Sequence, residues 1–320
     1  MVTIVLSGYY GFNNAGDELI LDSLIYNFKK KNPKTSLIVL SKTPEYTQKI
    51  FNINSVNRDN LFEVYNAFKK SDLVVFSGGL YQDITSSLSL YYYLFQIILA
   101  KLLRKYVILQ GVDFGPINRK FNDFILRITM NFVDEIIVRT EGSFKYLKTH
   151  KNIQLGKDMV FYSQYINSIK PENINTHIKI GLILRKLKYN NLNEIVNFCN
   201  IITTEFKNSE IVFIPFHLEQ DIELCIEIIK KLEYKKTNIK RWNLSTDIFH
   251  ILNNIDIIIS QRLHGLIIGY ILNKQIISVS EDVKIKFFMN DINKGNLVFK
   301  HFSECSKELL SVIQRNFLTS

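Results

Sequence analysis

The sequence predicts an α/β protein made of two doubly wound halves facing a central cleft. Three observations predict it. Short apolar runs alternate with amphipathic stretches from the first residues onward, the rhythm of a parallel sheet covered on both faces. A polar stretch over 161–176, with Pro171 and three asparagines, interrupts that rhythm and reads as a linker. The same alternation then resumes.

In the first half, residues 3–7 read as a strand, followed by a Gly/Asn-rich turn and a helix over 17–31. A second strand covers 36–41. An amphipathic helix over 61–70 feeds a strand over 72–77, and a long apolar helix over 87–103 feeds a strand over 106–110. A helix over 117–132 and a strand over 135–139 complete this half. In the second half, strands fall at 178–184, 210–215, 255–260 and 275–279, with helices at 193–206, 218–232 and 263–272. The expected domains are therefore 1–168 and 169–320. Ligands of open parallel sheets collect beyond the carboxyl ends of the strands. A polar residue just after a strand is thus a site candidate, and the cleft between the halves is the expected site.

The 320 residues hold 40 Lys+Arg against 30 Asp+Glu, a formal charge of +10. A content of 47% hydrophobic and 22% charged residues excludes intrinsic disorder. The most apolar stretch, 88–100, falls short of the roughly 20 residues that span a bilayer. Met1 leads straight into an apolar strand run without the basic start and cleavage site of a signal peptide, so a cytoplasmic protein is expected. Cys199, Cys225 and Cys305 are scattered and odd in number, which leaves neither a disulfide framework nor a CxxC zinc site. With no HExxH-like set either, no metal is expected. The charge is not gathered into basic runs interleaved with aromatics, so no nucleic-acid partner is expected. An anionic substrate or an anionic membrane face accounts for it.

Several segments after strands carry candidate chemistry. Residues 7–18, SGYYGFNNAGDE, follow the first strand and open a helix. Their glycines allow sharp turns and close ligand approach. Asp17 at the helix start would cap its own amides rather than welcome a phosphate, so it reads as a partner or base for a sugar hydroxyl, or as a plain cap. Residues 77–83, SGGLYQD, form a turn that offers Gln82 and Asp83 to the cleft. Residues 111–116, GVDFGP, form a rigid turn, and Arg139 ends a strand, facing the cleft or pairing with Glu141. In the second half, Arg185 closes the strand over 178–184. Residues 260–265, SQRLHG, lead into a nearly all-apolar helix, so Arg262 and His264 lie at its amino end, where anions bind. Arginine recognises carboxylate or phosphate with two parallel bonds, and histidine is the side chain suited to proton transfer near neutrality. Lys284 or Lys286 adds positive charge after the last clear strand, and His217 follows a strand as a cleft-lining residue.

In their order, GYYGFNNAGDE, SGGLYQD, GVDFGP, VRTEGS, LGKD, ILR, IPFHLEQD, QRLHG and DVKIKFF resemble the polysaccharide pyruvyl transferase family along nearly the whole chain. GYYGFNNAGDE and RLHG are the specific pieces. The resemblance implies two Rossmann-like domains of GT-B-like kind. It also implies transfer of a pyruvyl group from phosphoenolpyruvate onto two hydroxyls of a sugar, as a ketal, in a cell-surface glycan or its lipid-linked precursor. Phosphoenolpyruvate is then a co-substrate, with no cofactor besides. The family's RLH junction falls on Arg262, Leu263 and His264, its strand-end arginine on Arg185, its later lysine on Lys284, and its first-loop acidic residue on Asp17. His264 and Asp17 are expected to be catalytic; Arg185, Arg262, Leu263 and Lys284 to hold the donor; and Asn14, Gly79, Gln82, Asp83 and Arg139 to hold the acceptor. The basic surface would keep the protein peripherally at the inner face of the membrane. The competing expectations are a glycosyltransferase that uses a nucleotide-sugar on the same two-domain plan, and a non-catalytic anion- or membrane-binding scaffold.

Overall fold

The computed structural model describes residues 2–84, 86–167, 177–187, 191–207, 209–232 and 236–317. Most of the expected linker and the expected boundary at 168/169 lie outside the described residues. The chain divides into two compact units, Met1–Gln164 and Tyr165–Ser320.

The first unit runs β1 (Thr3–Ser7), α1 (Ala15–Lys31), β2 (Ser36–Ser41), α2 (Pro44–Phe51), β3 (Asn54–Asn57), α3 (Leu61–Lys70), β4 (Leu73–Tyr81), α4 (Ser87–Leu102), β5 (Tyr106–Phe114), α5 (Lys120–Met130), β6 (Glu135–Val138), α6 (Glu141–Tyr146) and β7 (Ile153–Leu155). Its strands pair in parallel in the order β3-β2-β1-β4-β5-β6-β7. Val5, Leu40, Val74, Phe76, Val107 and Leu109 from the central strands pack with Phe68, Tyr93 and Ile97 of the helices into one core, the burial on both faces that makes such strands continuous apolar runs.

The second unit runs β8 (Ile178–Ile183), α7 (Leu192–Glu205), β9 (Ser209–Phe213), α8 (Leu218–Lys231), β10 (Thr237–Ile239), α9 (Asp247–Asn253), β11 (Ile257–Ser260), α10 (Leu263–Ile271), β12 (Gln275–Val279), α11 (Val283–Asp291), β13 (Val298–Phe299) and α12 (Phe302–Phe317). The order β10-β9-β8-β11-β12-β13, again parallel, repeats the plan of the first sheet. In each unit the strand order reverses beside the first strand, between β1 and β4 and between β8 and β11. Such a reversal opens a crevice at the carboxyl edge, where this kind of sheet binds its ligands. Cys199, Cys225 and Cys305 are buried separately in the second core.

Two departures from the sequence expectations have a physical cause. The strands with no sequence counterpart are β3, β7, β10 and β13, the two edges of each sheet. An edge strand has one partner and less need of an apolar run; NSVN, IQL and TNI show none. The SGGLYQD and GVDFGP segments are not simple turns after short strands. β4 and β5 continue side by side through them, pairing Gly78 with Val112 and Tyr81 with Phe114 across register shifts. Gly78 (φ +105°) and Gly111 (φ +65°) hold backbone conformations that only glycine adopts freely. The apolar stretch at 88–100 is α4, and among the described residues no helix is long and apolar enough to cross a membrane.

Candidate functional site

In the first unit the loop between β1 and α1 lies at the β1/β4 reversal. Arg58 braces it from beneath: its Nη1 donates to the Gly8 carbonyl (2.7 Å) and its Nη2 to the Tyr93 hydroxyl (3.1 Å). The guanidinium lies over the rings of Phe12, Tyr92 and Tyr93. The Asn14 side chain accepts from the Gly16 N–H (3.3 Å) and caps α1. The Gly11 N–H donates to Glu18 Oε1 (2.7 Å). Burial pushes the Glu18 carboxyl up to about 7, against the backbone N–H groups of Gly11 and Phe12 and with the help of Asp17. Asp17 is half-buried, its Oδ1 3.5 Å from where a Cβ on Gly78 would sit. The reversal point thus carries two neighbouring acids, Asp17 beside Gly78 and Glu18 held by the Gly11 N–H, in a loop braced by Arg58.

Other expected acceptor residues make defined contacts within the first unit. Asp83 is buried, and its carboxylate accepts from the N–H groups of Asn118 (2.8 Å) and Arg119 (3.0 Å) and from Asn122 Nδ2 (2.9 Å). Burial raises its pKa, but these bonds and the Arg119 charge outweigh burial and leave it below the ordinary value. Asp83 anchors the start of α5. Arg139 is 4% exposed and holds two carboxylates, Asp113 at 2.5 Å and Asp158. Burial opposes its charge, but the two acids prevail and hold its pKa above the ordinary value. It braces β5, β6 and the segment after β7 from inside, with Asp113 and Asp158 as its carboxylate partners. Gln82 Oε1 accepts from the Ile84 N–H (2.8 Å), and Gly79 is half-buried in β4.

The second unit assembles the expected donor residues at its own reversal. β11 ends at Ser260, whose Oγ accepts from the Arg262 N–H (3.0 Å) and donates to the Arg262 carbonyl (2.7 Å), turning the chain into α10. The Gln261 N–H donates to the Ile183 carbonyl (2.8 Å), and Gln261 Oε1 accepts from the Arg185 N–H (2.9 Å). Those two bonds stitch the end of β8 to the end of β11. Gly265 lets α10 settle on the sheet: a Cβ there would meet Ile183 Cδ1 at 2.5 Å and Ser260 Oγ at 2.6 Å.

Arg262 Nη2 bonds to Asp221 Oδ1 (2.6 Å), and Arg185 Nη1 lies 3.6 Å from Asp282 Oδ2. Asp282 caps α11 by accepting from the Lys284 N–H (3.0 Å). Partial burial and the Arg262 charge lower the Arg185 pKa, against Asp282 and Asp221. Two guanidiniums are therefore held close enough to repel. Leu263 and His264 are the first residues of α10, and His264 and Lys284 are half-buried. The amino ends of α8, α10 and α11 are joined through these contacts, and helix amino ends favour anions.

Asp221 and Arg58 were not singled out from the sequence. Asp221 had a signal: an acid in the first helical turn after a strand, four residues beyond a histidine. Arg58 had none, because it follows β3, an edge strand without an apolar run.

The class so defined is a pair of Rossmann-like domains, each with its strand order reversing beside its first strand. The sequence pattern of the family described as "Polysaccharide pyruvyl transferase" matches residues 14–283. The chain belongs to this family of transferases; Lys284 lies one residue past the matched span. No curated protein matches the chain in sequence. Among solved structures it is similar to a putative UDP-N-acetylglucosamine 2-epimerase from Listeria monocytogenes (TM-score 0.66, 12% identity, covering 98% of this chain and 88% of that one). It is also similar to the S. aureus MnaA–UDP co-structure (TM-score 0.66, 8% identity, 99% and 88%). The UDP-GlcNAc 2-epimerase from Methanocaldococcus jannaschii is a third (TM-score 0.63, 15% identity, 97% and 92%). At these identities the likeness is one of fold, two Rossmann-like domains of GT-B type.

Proposed function

We propose that this protein moves a pyruvyl group from phosphoenolpyruvate onto two hydroxyls of a sugar, forming a ketal. The observation that carries the reading is the Arg185–Arg262 pair at the β8/β11 reversal, with His264 at the second position of α10. Phosphoenolpyruvate has two anionic groups, a carboxylate and a phosphate, to match two guanidiniums, and Lys284 assists. His264 protonates the methylene carbon, which leaves an oxocarbenium-like centre at C2. A sugar hydroxyl attacks that carbon and loses its proton. Phosphate then leaves with the C2–O bond electrons, and the neighbouring hydroxyl closes the ketal. On the acceptor side the reading assigns Asp17, the carboxylate at the β1/β4 reversal, to hold or deprotonate a hydroxyl, with Asn14 in the same loop and Gly79 and Gln82 at the end of β4. No cofactor besides the co-substrate enters, so turnover is expected to survive EDTA. The acceptor is read as a cell-surface glycan or its lipid-linked precursor, met by peripheral contact with an anionic membrane that salt should weaken in vesicle binding.

The test is a thermal-shift titration with phosphoenolpyruvate and, separately, UDP-N-acetylglucosamine. A ligand bound only by the native state raises the melting temperature with concentration. Stabilisation by phosphoenolpyruvate, lost in Arg262→Ala, supports the reading. Stabilisation by the nucleotide-sugar alone replaces it with a glycosyltransferase.

A further inference from the structure

His217 stands at the amino end of α8, and its main-chain N–H donates to Asp221 Oδ2 (2.9 Å). The same carboxylate accepts from the Lys186 N–H (3.1 Å) and holds Arg262. One fully buried acid therefore fixes three segments: the end of β8, the start of α8 and the start of α10. His217 is 4% exposed, yet among the described residues neither its buried Nδ1 nor its buried Nε2 has a hydrogen-bond partner. Arg262 Nε, on the residue tied to the same carboxylate, is buried and unpartnered as well. Buried polar atoms in native proteins are nearly always paired, and leaving one unmade costs its whole desolvation penalty. Three such atoms on two residues of one network mark a place where a ligand supplies the partners.

The charges around His217 say which ligand. Burial and the Arg262 charge push its pKa down, while Asp221 and Glu219 push the other way; Arg185, at the end of β8, is coupled to the same Arg262 and Asp221. A neutral imidazole beside Arg262 has one N–H to offer. Once an anion sits there, the protonated imidazole becomes the better donor, because an opposite charge favours the charged form.

We infer that His217 is an anion-binding residue of this site: its imidazole and the Arg262 Nε–H together hold an ionised oxygen of a phosphate- or carboxylate-bearing ligand, and His217 takes up a proton as that ligand binds. The inference rests on reading the site as the phosphoenolpyruvate site, and it adds a residue and a proton that the reading lacks. No covalent bond changes in this step; the proton comes from solvent.

Isothermal titration in buffers of different ionisation enthalpy at pH 7–8 measures the proton directly. Sulfate and phosphoenolpyruvate are the probes; sulfate does not titrate in this range, so its protons are the protein's own. The wild type is expected to take up a proton with sulfate, and His264→Gln to take it up as well. In His217→Gln the uptake vanishes and affinity for both anions falls about 10- to 100-fold, the range for a hydrogen bond to a charged group. Should His217→Gln fold poorly, histidine-ring NMR of the wild type serves: sulfate must raise the titration midpoint of one buried imidazole other than His264. Unchanged affinity and uptake in His217→Gln, or no responding imidazole beyond His264, overturns the inference and leaves the phosphoenolpyruvate reading standing. Sulfate binding with its proton intact but no binding of phosphoenolpyruvate keeps His217 as an anion ligand and sinks that reading instead.

Discussion

Asp221 Oδ1 lies 2.6 Å from Arg262 Nη2, with the acid fully buried and the guanidinium 13% exposed. The carboxylate also accepts from the N–H groups of Lys186 and His217, so one side chain orients the arginine and fixes the main chain around it. Removing one member of a buried pair leaves the other charge uncompensated, typically at about 3–5 kcal/mol. Asp221→Ala is expected to lose stability on that scale in urea unfolding and to weaken phosphoenolpyruvate binding. Asp221→Asn keeps one oxygen, enough for only one of the two main-chain N–H groups that now reach Oδ1 (Lys186) and Oδ2 (His217), so it should recover part of the stability but little of the binding. Equal recovery of both would make Asp221 a scaffold residue only.

His264→Ala tests the proton donor. The side chain is half-buried at the second position of α10, so its removal should cost far less in stability than in turnover. Turnover should fall by about 10²–10⁴-fold, the usual worth of a positioned general acid. Near-normal phosphate release by this variant would remove His264 from the mechanism.

Arg139 and Asp83 show how far the sequence reaches. Both were placed correctly at strand ends, and the central strands and α1, α4, α7 and α8 stand close to where periodicity put them, whereas α12 had no sequence counterpart. Position after a strand does not say which way a side chain turns, however. Arg139 turns inward because Asp113 and Asp158 wait there, two acids distant in sequence and on different segments. Asp83 turns toward the start of α5, some 35 residues on in the chain. The donor residues were legible because one short segment, SQRLHG, carries strand end, turn and helix start together. Asp221, which organises them, was not, since its partners are residues 186, 217 and 262.

Arg139→Lys is expected to fold less stably than wild type and to gain little over Arg139→Ala. A lysine ammonium is a single point of charge and cannot span two carboxylates as the guanidinium fork does. Both variants leave buried acids partly unpaired, a loss of about 3–5 kcal/mol for the alanine form, read by chemical unfolding. A variant of wild-type stability with a raised KM for the acceptor would return Arg139 to the acceptor side.

Glu18 gives the first loop a pH dependence of defined sign. Burial lifts its carboxyl from the ordinary 4.5 to about 7 in the folded chain, so between those values the folded state holds a proton that the unfolded state has released. Stability is then greatest below about 4.5 and falls as pH rises through 7. At about 1.4 kcal/mol per pH unit the loss reaches about 3 kcal/mol. One helical turn further along α1, Asp22 is lifted by burial from 3.8 to about 6, with Gln164 opposing, and works in the same direction. Glu18→Gln keeps an acceptor for the Gly11 N–H and copies the protonated acid. It should match the wild type near pH 4.5 and exceed it by up to about 3 kcal/mol above pH 8, measured by urea unfolding across the range. An unchanged slope between pH 5 and 8 in that variant would show that the first loop leaves Glu18 ionised and solvated in solution.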